Sequence, residues 1–282
     1  SATGTKTFGD VIVNSGGTWS NTTIAATISG NLQNDGTFTA TTGVITLSGT
    51  GKTISGASGL SIPNATITGT YTNNGTLTVA TALSGSGELT QGSGAVLNIG
   101  GASTITTLTA SASGNTVNYN GTGAQTIKAA TYVTLKSNNT AGATLGGATT
   151  LTTLTIGDVT ASSIFSDGGF VITLSGSSVL NLTSGTFKLG SAAVGTAFPS
   201  FGTITIASGT TVEYASATTQ AVSATPSYQN LTISGAGTKT PDSSLSIAGN
   251  LTVNATSGTF DLGTTLNHTV SGNVTRTAGT LN

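Results

Sequence analysis

The sequence predicts an all-β protein, a β-solenoid (β-helix) of about 12 coils with roughly 20–24 residues in each. Three observations lead to this fold class. The composition disfavours helices, short apolar runs alternate with threonine between turn residues, and internal repeats recur at related spacings. The chain has 282 residues, of which 41 are glycine and only 5% are charged.

The composition favours strands over helices and over disorder. Threonine and valine fit pleated strands, whereas glycine is a poor helix former. No segment shows the sustained i, i+3, i+4, i+7 apolar stripe of an amphipathic helix. Disordered chains lack apolar residues and carry high net charge. Here apolar residues recur regularly and the net charge is −1, so we expect a packed fold.

Short runs of alternating residues predict the strands. Examples are Thr37-Phe38-Thr39 and Thr203-Ile204-Thr205, and glycine, asparagine or serine bounds such runs. Because side chains alternate along a strand, the middle residue should point inward and both threonines outward. By the same argument, Lys188 and Asp261 should point outward. The candidate core residues are Leu154, Phe187, Leu189, Leu251, Phe260 and Leu262.

Internal repeats predict the length of each coil. The matched segments are 183–190 with 256–263, 101–109 with 147–155, and 247–250 with 270–273. Their spacings of 73, 46 and 23 residues lie near multiples of one coil. Near the N-terminus, Ile28 and Ile67 begin similar motifs that are 39 residues apart, which indicates two shorter coils.

A longer block also repeats, at a spacing of 95 to 96 residues. Its matching residues are Tyr119, Gln125, Tyr132 and Leu135 in one copy and Tyr214, Gln220, Tyr228 and Leu231 in the other. We therefore predict one continuous solenoid over 1–282. It would have a looser N-terminal part at about 1–100 and a duplicated four-coil unit at about 101–282.

Tandem β-sandwich domains are the alternative fold. Sandwiches also show turn signals every 8–12 residues, and the spacing of 95 to 96 is near the size of one such domain. A sandwich does not require a period of about 23 residues, so the nested spacings favour the solenoid.

Three segments resemble a known class of proteins. Residues 118–126 (NYNGTGAQT), 228–240 (YQNLTISGAGTKT) and 250–253 (NLTV) are similar to segments of large secreted bacterial repeat proteins. Those proteins are predicted surface adhesins, loosely similar to the β-helical filamentous haemagglutinins and autotransporter passengers. The resemblance implies secretion and a role at the cell surface. It transfers no functional residue.

We expect no enzymatic activity, no cofactor and no bound metal. Glycoside hydrolysis needs two carboxyls that flank one bond, and the carboxylates here are scattered. Asp158 and Asp167 are close in sequence, and we interpret both as solvated turn residues. The eight carboxylates are Asp10, Asp35, Glu88, Asp158, Asp167, Glu213, Asp242 and Asp261.

Three residues occur only once and invite a functional interpretation. His268 aligns with Ile172 of another copy, so it should replace an apolar strand residue rather than bind a metal. Arg276 is interpreted as a surface charge. Trp19 is interpreted as a plug of the N-terminal core, with a sugar-stacking role as the alternative.

Charge and hydropathy exclude two classes of partner. No run of 18 apolar residues occurs, so we expect no membrane insertion. The balanced charge provides no basic surface for nucleic acid. Because the sequence starts at Ser1, we expect that a leader or upstream segment was removed.

The functional hypothesis is a secreted structural subunit that polymerises end to end at the cell surface. Open solenoid ends are unpaired sheet edges, which recruit strands, and a low net charge favours association. The partner would be another copy of the chain, joined head to tail, with a surface polysaccharide as a further possible partner. The predicted interface residues are Phe8, Val11, Val13, Val274 and Leu281.

Two other functions stay open. The chain could be a fragment of a longer cell-surface adhesin, in which neighbouring coils would cover both ends. The Thr-x-Thr runs also resemble the flat threonine arrays of ice-binding solenoids, so an ice-binding or polysaccharide-binding face is the third hypothesis.

Overall fold

The computed structural model describes residues 4, 6–21 and 23–282, and no helix occurs among them. The chain divides into two compact units, Ser1–Lys136 and Ser137–Asn282. Each unit is a solenoid of parallel strands, and the two units together contain about 14 turns. The predicted fold class is therefore confirmed, with slightly more turns than the sequence spacing suggested.

Strands are short in both units. Those that begin in the first unit are β1 (Lys6–Phe8), β2 (Val11–Val13), β3 (Thr18–Asn21), β4 (Ala26–Ile28), β5 (Leu32–Asn34), β6 (Thr37–Ala40), β7 (Val44–Leu47), β8 (Lys52–Ser55), β9 (Leu60–Ile67), β10 (Thr70–Asn73), β11 (Thr76–Ser84), β12 (Glu88–Gln91), β13 (Val96–Ile99), β14 (Ala102–Ser103), β15 (Thr107–Thr109), β16 (Thr116–Tyr119), β17 (Gln125–Ile127) and β18 (Thr131–Ser137). Those of the second unit are β19 (Ala143–Leu145), β20 (Thr149–Ile156), β21 (Ile164–Ser166), β22 (Ile172–Leu182), β23 (Thr186–Leu189), β24 (Thr203–Ile206), β25 (Thr211–Tyr214), β26 (Gln220–Val222), β27 (Asn230–Ser234), β28 (Thr238–Pro241), β29 (Ser246–Ile247), β30 (Leu251–Phe260), β31 (Thr269–Val270) and β32 (Val274–Leu281).

The first unit stacks its strands in rows, each strand pairing with the equivalent strand of the next turn. One row runs through β1, β4, β7, β9, β11, β13 and β16, a second through β2, β5, β8, β10, β12 and β15, and β3 pairs with β6. Paired residues lie 17 to 22 positions apart. Ile28 pairs with Leu47 and Leu47 with Ile67, which confirms the two short coils predicted there.

The second unit has longer turns. One row runs through β20, β22 and β24, and another through β19, β21, β23, β25, β27 and β30. Strand β26 pairs with β28, β28 with β30, β30 with β32, and β29 with β31. Paired residues lie 19 to 26 positions apart. Ile247 pairs with Val270, so the repeat spaced by 23 residues marks one turn.

The parallel pairing excludes the sandwich alternative. Tandem sandwiches are built from antiparallel sheets, whereas equivalent strands of successive turns here run in the same direction. The duplicated block therefore reflects stacked turns rather than tandem sandwich domains.

The interior of each turn holds stacked aliphatic side chains, as the alternation predicted. Ile28, Leu47 and Ile67 are fully buried and lie above one another through their pairing. Phe38 is buried between Thr37 and Thr39, which are exposed. Burying one large aliphatic side chain contributes about 1.5–3 kcal/mol, so these rows provide much of the stability of the fold.

The predicted core residues are confirmed except at one position. Leu154, Phe187, Leu189, Leu251 and Phe260 are buried, and Lys188 and Asp261 are partly exposed. Leu262 is partly exposed, so its assignment to the core was wrong. It follows β30, where its N–H reaches Asn282 of the last turn and few residues are available to cover it.

The repeat spaced by 73 residues does not mark stacked positions. Phe187 pairs with Val212, whose row continues to Leu231 and Leu251. Phe260 lies in another row, where it pairs with Lys239. Similar segments thus occur at different places around the turn, because an inward aromatic residue between two glycine-rich corners suits either row.

The residues of the duplicated block form matching hydrogen bonds. In the first copy, the Lys128 N–H donates to the Tyr119 hydroxyl (3.0 Å) and the Tyr132 hydroxyl donates to the Lys128 carbonyl (2.6 Å). The amide of Gln125 accepts the Gly121 N–H (2.8 Å) and donates to the Ile99 carbonyl (2.8 Å). Both tyrosines are fully buried, and this burial raises their pKa values.

The second copy repeats this arrangement. The Ser223 N–H donates to the Tyr214 hydroxyl (3.1 Å), and the Tyr228 hydroxyl donates to the Ser223 carbonyl. Gln220 Oε1 accepts the Ser216 N–H (3.2 Å), and its Nε2 donates to the Thr196 carbonyl (2.8 Å). The repeated polar residues therefore hold the corners of the turn.

The continuous solenoid over 1–282, its looser part and its four-coil unit stay predictions.

We expect Gln220→Leu to destabilise the second unit by about 2–4 kcal/mol, because the buried Ser216 N–H and Thr196 carbonyl lose their partner. Urea unfolding followed by circular dichroism measures the effect. Gln229→Leu is the matched control, since Gln229 is partly exposed and its side chain should matter by less than about 0.5 kcal/mol. Equal unfolding midpoints for the two variants would show that the glutamine corner contributes nothing.

Candidate functional site

The predicted interface residues lie on the first and last strands described. Phe8 belongs to β1, Val11 and Val13 to β2, and Val274 and Leu281 to β32. Val11 and Val13 are 5% exposed, Val274 is 53% exposed, and Phe8 and Leu281 are partly exposed. Strand β32 pairs with β30 on one side, and no other described strand covers it. The role of these residues in assembly stays a prediction.

Trp19 is part of an aromatic stack in the first turns. Its indole stacks on Phe38 with centroids 5.7 Å apart, and the Phe8 ring lies edge-on at 5.1 Å. Its Nε1 is buried and has no hydrogen-bond partner among the described residues. Because two aromatic rings contact the indole, the core-plug interpretation agrees with the packing. Trp19 also lines a cleft of about 280 Å³, so the sugar-stacking role stays the alternative.

Successive turns of the second unit are linked by a reciprocal pair of hydrogen bonds. Asn230 Oδ1 accepts the Asn250 N–H (2.9 Å), and the Leu231 N–H donates to the Asn250 carbonyl (2.9 Å). The next step is the same: Asn250 Oδ1 accepts the Asn273 N–H (2.8 Å), and the Leu251 N–H donates to the Asn273 carbonyl (2.9 Å). We call this pair of bonds the Asx clasp.

The first unit begins with the same clasp. Asp10 Oδ1 accepts the Asn31 N–H (2.6 Å), and the Val11 N–H donates to the Asn31 carbonyl (2.8 Å). Asn31 Oδ1 in turn accepts the Thr53 N–H (3.0 Å). Sequence reasoning used the Gly-Asn repeat only as a measure of coil length. The signal it missed is that an Asn or Asp precedes an apolar residue in each of these turns, and that glycine precedes it in all of them except at Asn230, which follows Gln229.

Half of a clasp is left open at each of the two outer edges. At β32, Asn273 Oδ1 has no hydrogen-bond partner among the described residues. Val274 pairs with Leu251, whose N–H points away from the preceding turn and donates to Asn273 of the next turn. By the same geometry, the Val274 N–H points away from β30. At the first turn, the N–H and carbonyl of Asp10 also lack partners in the described part of the chain. The two edges therefore present complementary donors and acceptors.

One charged residue lies in a core row of the last strand. Arg276 pairs with the buried Val253, but it is itself exposed and donates through Nη1 to the Gly279 carbonyl (2.8 Å). An inward-pointing charge on an edge strand hinders indiscriminate strand pairing. Arg276 is thus a surface charge, as the sequence predicted. Its position on β32 affects which strand can be added to this edge.

Asp167 is not the solvated turn residue that the sequence suggested. It is 1% exposed, its Oδ1 accepts the N–H groups of Gly169 and Gly190 (both 2.8 Å), and its Oδ2 accepts the Thr196 hydroxyl. Burial raises the pKa of this carboxyl, although the three hydrogen bonds oppose the shift. Asp158 instead binds Asn138 (2.7 Å). Asp167 therefore fastens the loop 190–202, which lengthens its turn.

An apolar cleft of about 300 Å³ lies beside that loop. Phe170, Val171 and Val194 line it and are 40%, 64% and 46% exposed. Phe198, at its base, packs against Phe187 with centroids 5.7 Å apart. Asp167, the carboxylate that lines the cleft, already has three donors, and apolar side chains form much of the remaining lining.

Lys239 is a buried cation that the sequence gave no reason to expect. Its side chain is fully buried, and its ammonium donates to the carbonyls of Ser216 and Gly237, the latter at 3.1 Å. Burial lowers the pKa of this ammonium from 10.5 to about 8. It pairs with Gln220, so lysine here replaces the glutamine that binds corner carbonyls one turn earlier.

His268 links neighbouring turns. Its Nδ1 accepts the Leu245 N–H (3.0 Å), which leaves the proton on Nε2 to be donated to the Leu262 carbonyl (2.8 Å). Both ring nitrogens are thus used by the backbone. Among the described residues, no group of three His, Cys, Asp or Glu side chains could hold a metal ion.

The Thr-x-Thr runs are distributed over several rows rather than forming one face. Thr37 and Thr39 lie on β6, Thr66 on β9, and Thr203 and Thr205 on β24. Two registers of the first unit each stack four threonines. One contains Thr7, Thr27, Thr46 and Thr66, and the other contains Thr53, Thr72, Thr90 and Thr109. Ice or polysaccharide binding stays a hypothesis.

No protein-family model, curated protein or solved structure matches the chain. In the described part of the chain, no helix has the length and apolarity needed to span a membrane. The solenoid architecture rests on the structure itself, and the bacterial, secreted origin implied by the resemblance stays a prediction.

The shifted pKa of Lys239 predicts an unusual dependence of stability on pH. Below pH 8, Lys239 is protonated in both the folded and the unfolded chain. Between pH 8 and about 10.4, only the folded chain loses this proton, so the free energy of unfolding should rise. We expect a rise of about 1–2 kcal/mol between pH 7.5 and 9.5 in urea titrations.

Lys239→Gln is the matched variant for this measurement. Glutamine should still donate to the corner carbonyls, as Gln220 does, but it does not titrate. The rise should therefore disappear, while groups that titrate elsewhere affect both proteins equally. An equal pH dependence in the two proteins would show that Lys239 is not responsible.

Proposed function

We propose that this chain is a non-enzymatic structural component of an extracellular filament or surface layer, whose copies join end to end through open β edges. The observation that supports this most is the edge of β32, which no other described strand covers. There the Val274 N–H has no partner among the described residues and the Val274 side chain is exposed. Strand addition supplies main-chain hydrogen bonds along such an edge.

The use of the carboxylates supports a structural role. Asp10, Asp35, Asp167, Asp242 and Asp261 each accept a backbone N–H. The other three carboxylates bind side chains: Glu88 binds Thr90, Asp158 binds Asn138, and Glu213 binds Ser234. Acidic side chains that fasten corners and loops serve the architecture and leave no pair poised for acid–base chemistry.

The edge also supports association through its contact geometry. A strand added to β32 would continue the row of Leu251 and Val274, so apolar side chains would stack on apolar side chains across the junction. A contact between unlike edges propagates as an open polymer rather than a closed ring. The secreted location and the cell-surface setting are part of the proposal and follow from the resemblance of the sequence.

Val274→Pro tests the role of the edge, because proline removes the N–H that faces outward. Proline is tolerated at the first residue of an edge strand, so the fold should persist. We expect concentration-dependent fibres or higher oligomers from the unaltered protein and monomers from the variant, in negative-stain micrographs and sedimentation velocity.

Val171→Pro provides the control, since Val171 is also exposed (64%) and its N–H makes no hydrogen bond to a described residue. This variant should assemble normally. If the unaltered protein stays monomeric at all accessible concentrations, end-to-end assembly is wrong, and a module of a longer surface adhesin becomes the better interpretation.

A further inference from the structure

The two open half-clasps are complementary in position and in polarity. At β32, Asn273 offers an Oδ1 acceptor and Val274 offers an N–H donor. At the first turn, Asp10 offers an N–H donor and a carbonyl acceptor. In the interior, these same four groups of successive turns form the clasp, with distances between 2.6 and 2.9 Å.

We propose that the first turn of a second copy of this chain completes the open clasp of β32. Asn273 Oδ1 accepts the Asp10 N–H of the second copy, and the Val274 N–H donates to the Asp10 carbonyl. This inference rests on the proposed function and defines its partner and register. Each bond repeats one that the chain already makes between its own turns.

The clasp determines which residues meet across the junction. Within the first unit, Asn31 lies over Asp10 one turn later, and Leu32 pairs with Val11. The same relation places Val11 of the second copy on Val274, and Val13 on Arg276.

Both edges carry few charges. Arg276 is the one charge of β32, and in the proposed register Val13 of the second copy lies over its position. Its exposed guanidinium, which donates to the Gly279 carbonyl, must therefore stay on the solvent side of the junction. The first turn carries the Asp10 carboxylate, which lies three strand positions from Arg276 in the proposed register. Opposite charges at this separation contribute to the rate of association rather than to a direct ion pair. Lys6 is the other charge of the first turn and lies on β1, which is a different strand.

The sequence motif at the first turn identifies a copy of this chain as the partner. A completing strand must present an N–H and a carbonyl on one residue, followed by an apolar residue that continues the row of Val274. Gly9, Asp10 and Val11 have the same order as Gly249, Asn250 and Leu251, which fill this position in the interior. The first turn is the part of the described chain where such a motif has an unpaired N–H and carbonyl.

Removal of the Asn273 acceptor is the first test. Asn273→Ala should raise the concentration needed for assembly at least about tenfold, because one hydrogen bond per junction is lost and the Asp10 N–H becomes buried without a partner. Urea unfolding of the monomer should be unchanged, since the Asn273 N–H and carbonyl are retained. Asn267→Ala, an exposed asparagine near the same edge, is the control and should assemble like the unaltered protein.

Cysteine trapping tests the register, and the chain is suited to it because it contains no cysteine. A variant with Val11→Cys and Val274→Cys should form a ladder of disulfide-linked oligomers on non-reducing gels, since directly paired Cα atoms lie within disulfide reach. Val13→Cys with Val274→Cys is the matched control. Diagonal neighbours are about 7–8 Å apart, so this variant should stay largely uncrosslinked.

The outcomes separate this inference from the proposed function. Assembly of the unaltered protein together with normal assembly of Asn273→Ala, or equal crosslinking of both cysteine variants, overturns the clasp but not end-to-end association. Failure of the unaltered protein to assemble overturns the proposed function. Loss of assembly in Asn273→Ala, with a crosslinked ladder only in the Val11 and Val274 variant, supports the clasp.

Discussion

The structure depends on hydrogen bonds between equivalent strands of successive parallel turns. Parallel register places each residue directly over its counterpart in the next turn, as with Ile28, Leu47 and Ile67. Like charges stacked in this way would repel each other at about 4.8 Å. A chain with 5% charged residues is therefore what the register requires. Threonine, asparagine and aliphatic residues can stack on copies of themselves without such a cost.

This constraint explains which parts of the structure the sequence could predict. Inward aliphatic residues and turn spacing are repeated many times, so the row of Ile247 and Val270 could be read directly. A single repeated segment was less informative, because Phe187 and Phe260 occupy different rows of the same unit. A repeated strand-and-turn pattern determines which side chains point inward and the approximate length of each coil. It does not determine the place of a segment around the coil.

The polar interior was the part that sequence reasoning could not assign. Asp167, Lys239 and Gln220 look like ordinary surface residues in sequence, yet each is buried against backbone groups at a corner. Their role depends on carbonyl and N–H groups that a corner leaves unpaired, and the sequence does not show where those groups point. The match of Gln125 with Gln220 was the one available signal, because a glutamine repeated at a fixed place in a turn indicates a shared hydrogen-bond role.

The same constraint explains why the clasp carries an aspartate at one place only. The clasp needs an Oδ1 acceptor, which asparagine and aspartate both provide, but two stacked aspartates would set like charges one strand apart. Asn230, Asn250 and Asn273 avoid that repulsion, and Asp10 has the neutral Asn31 as its neighbour. The Asp10 carboxylate already has the neutral Asn31 as its neighbour in the next turn, and a neutral asparagine is equally compatible with it on the other side. Asn273 meets this requirement, so the residues of the two edges suit each other by the rule that orders the interior.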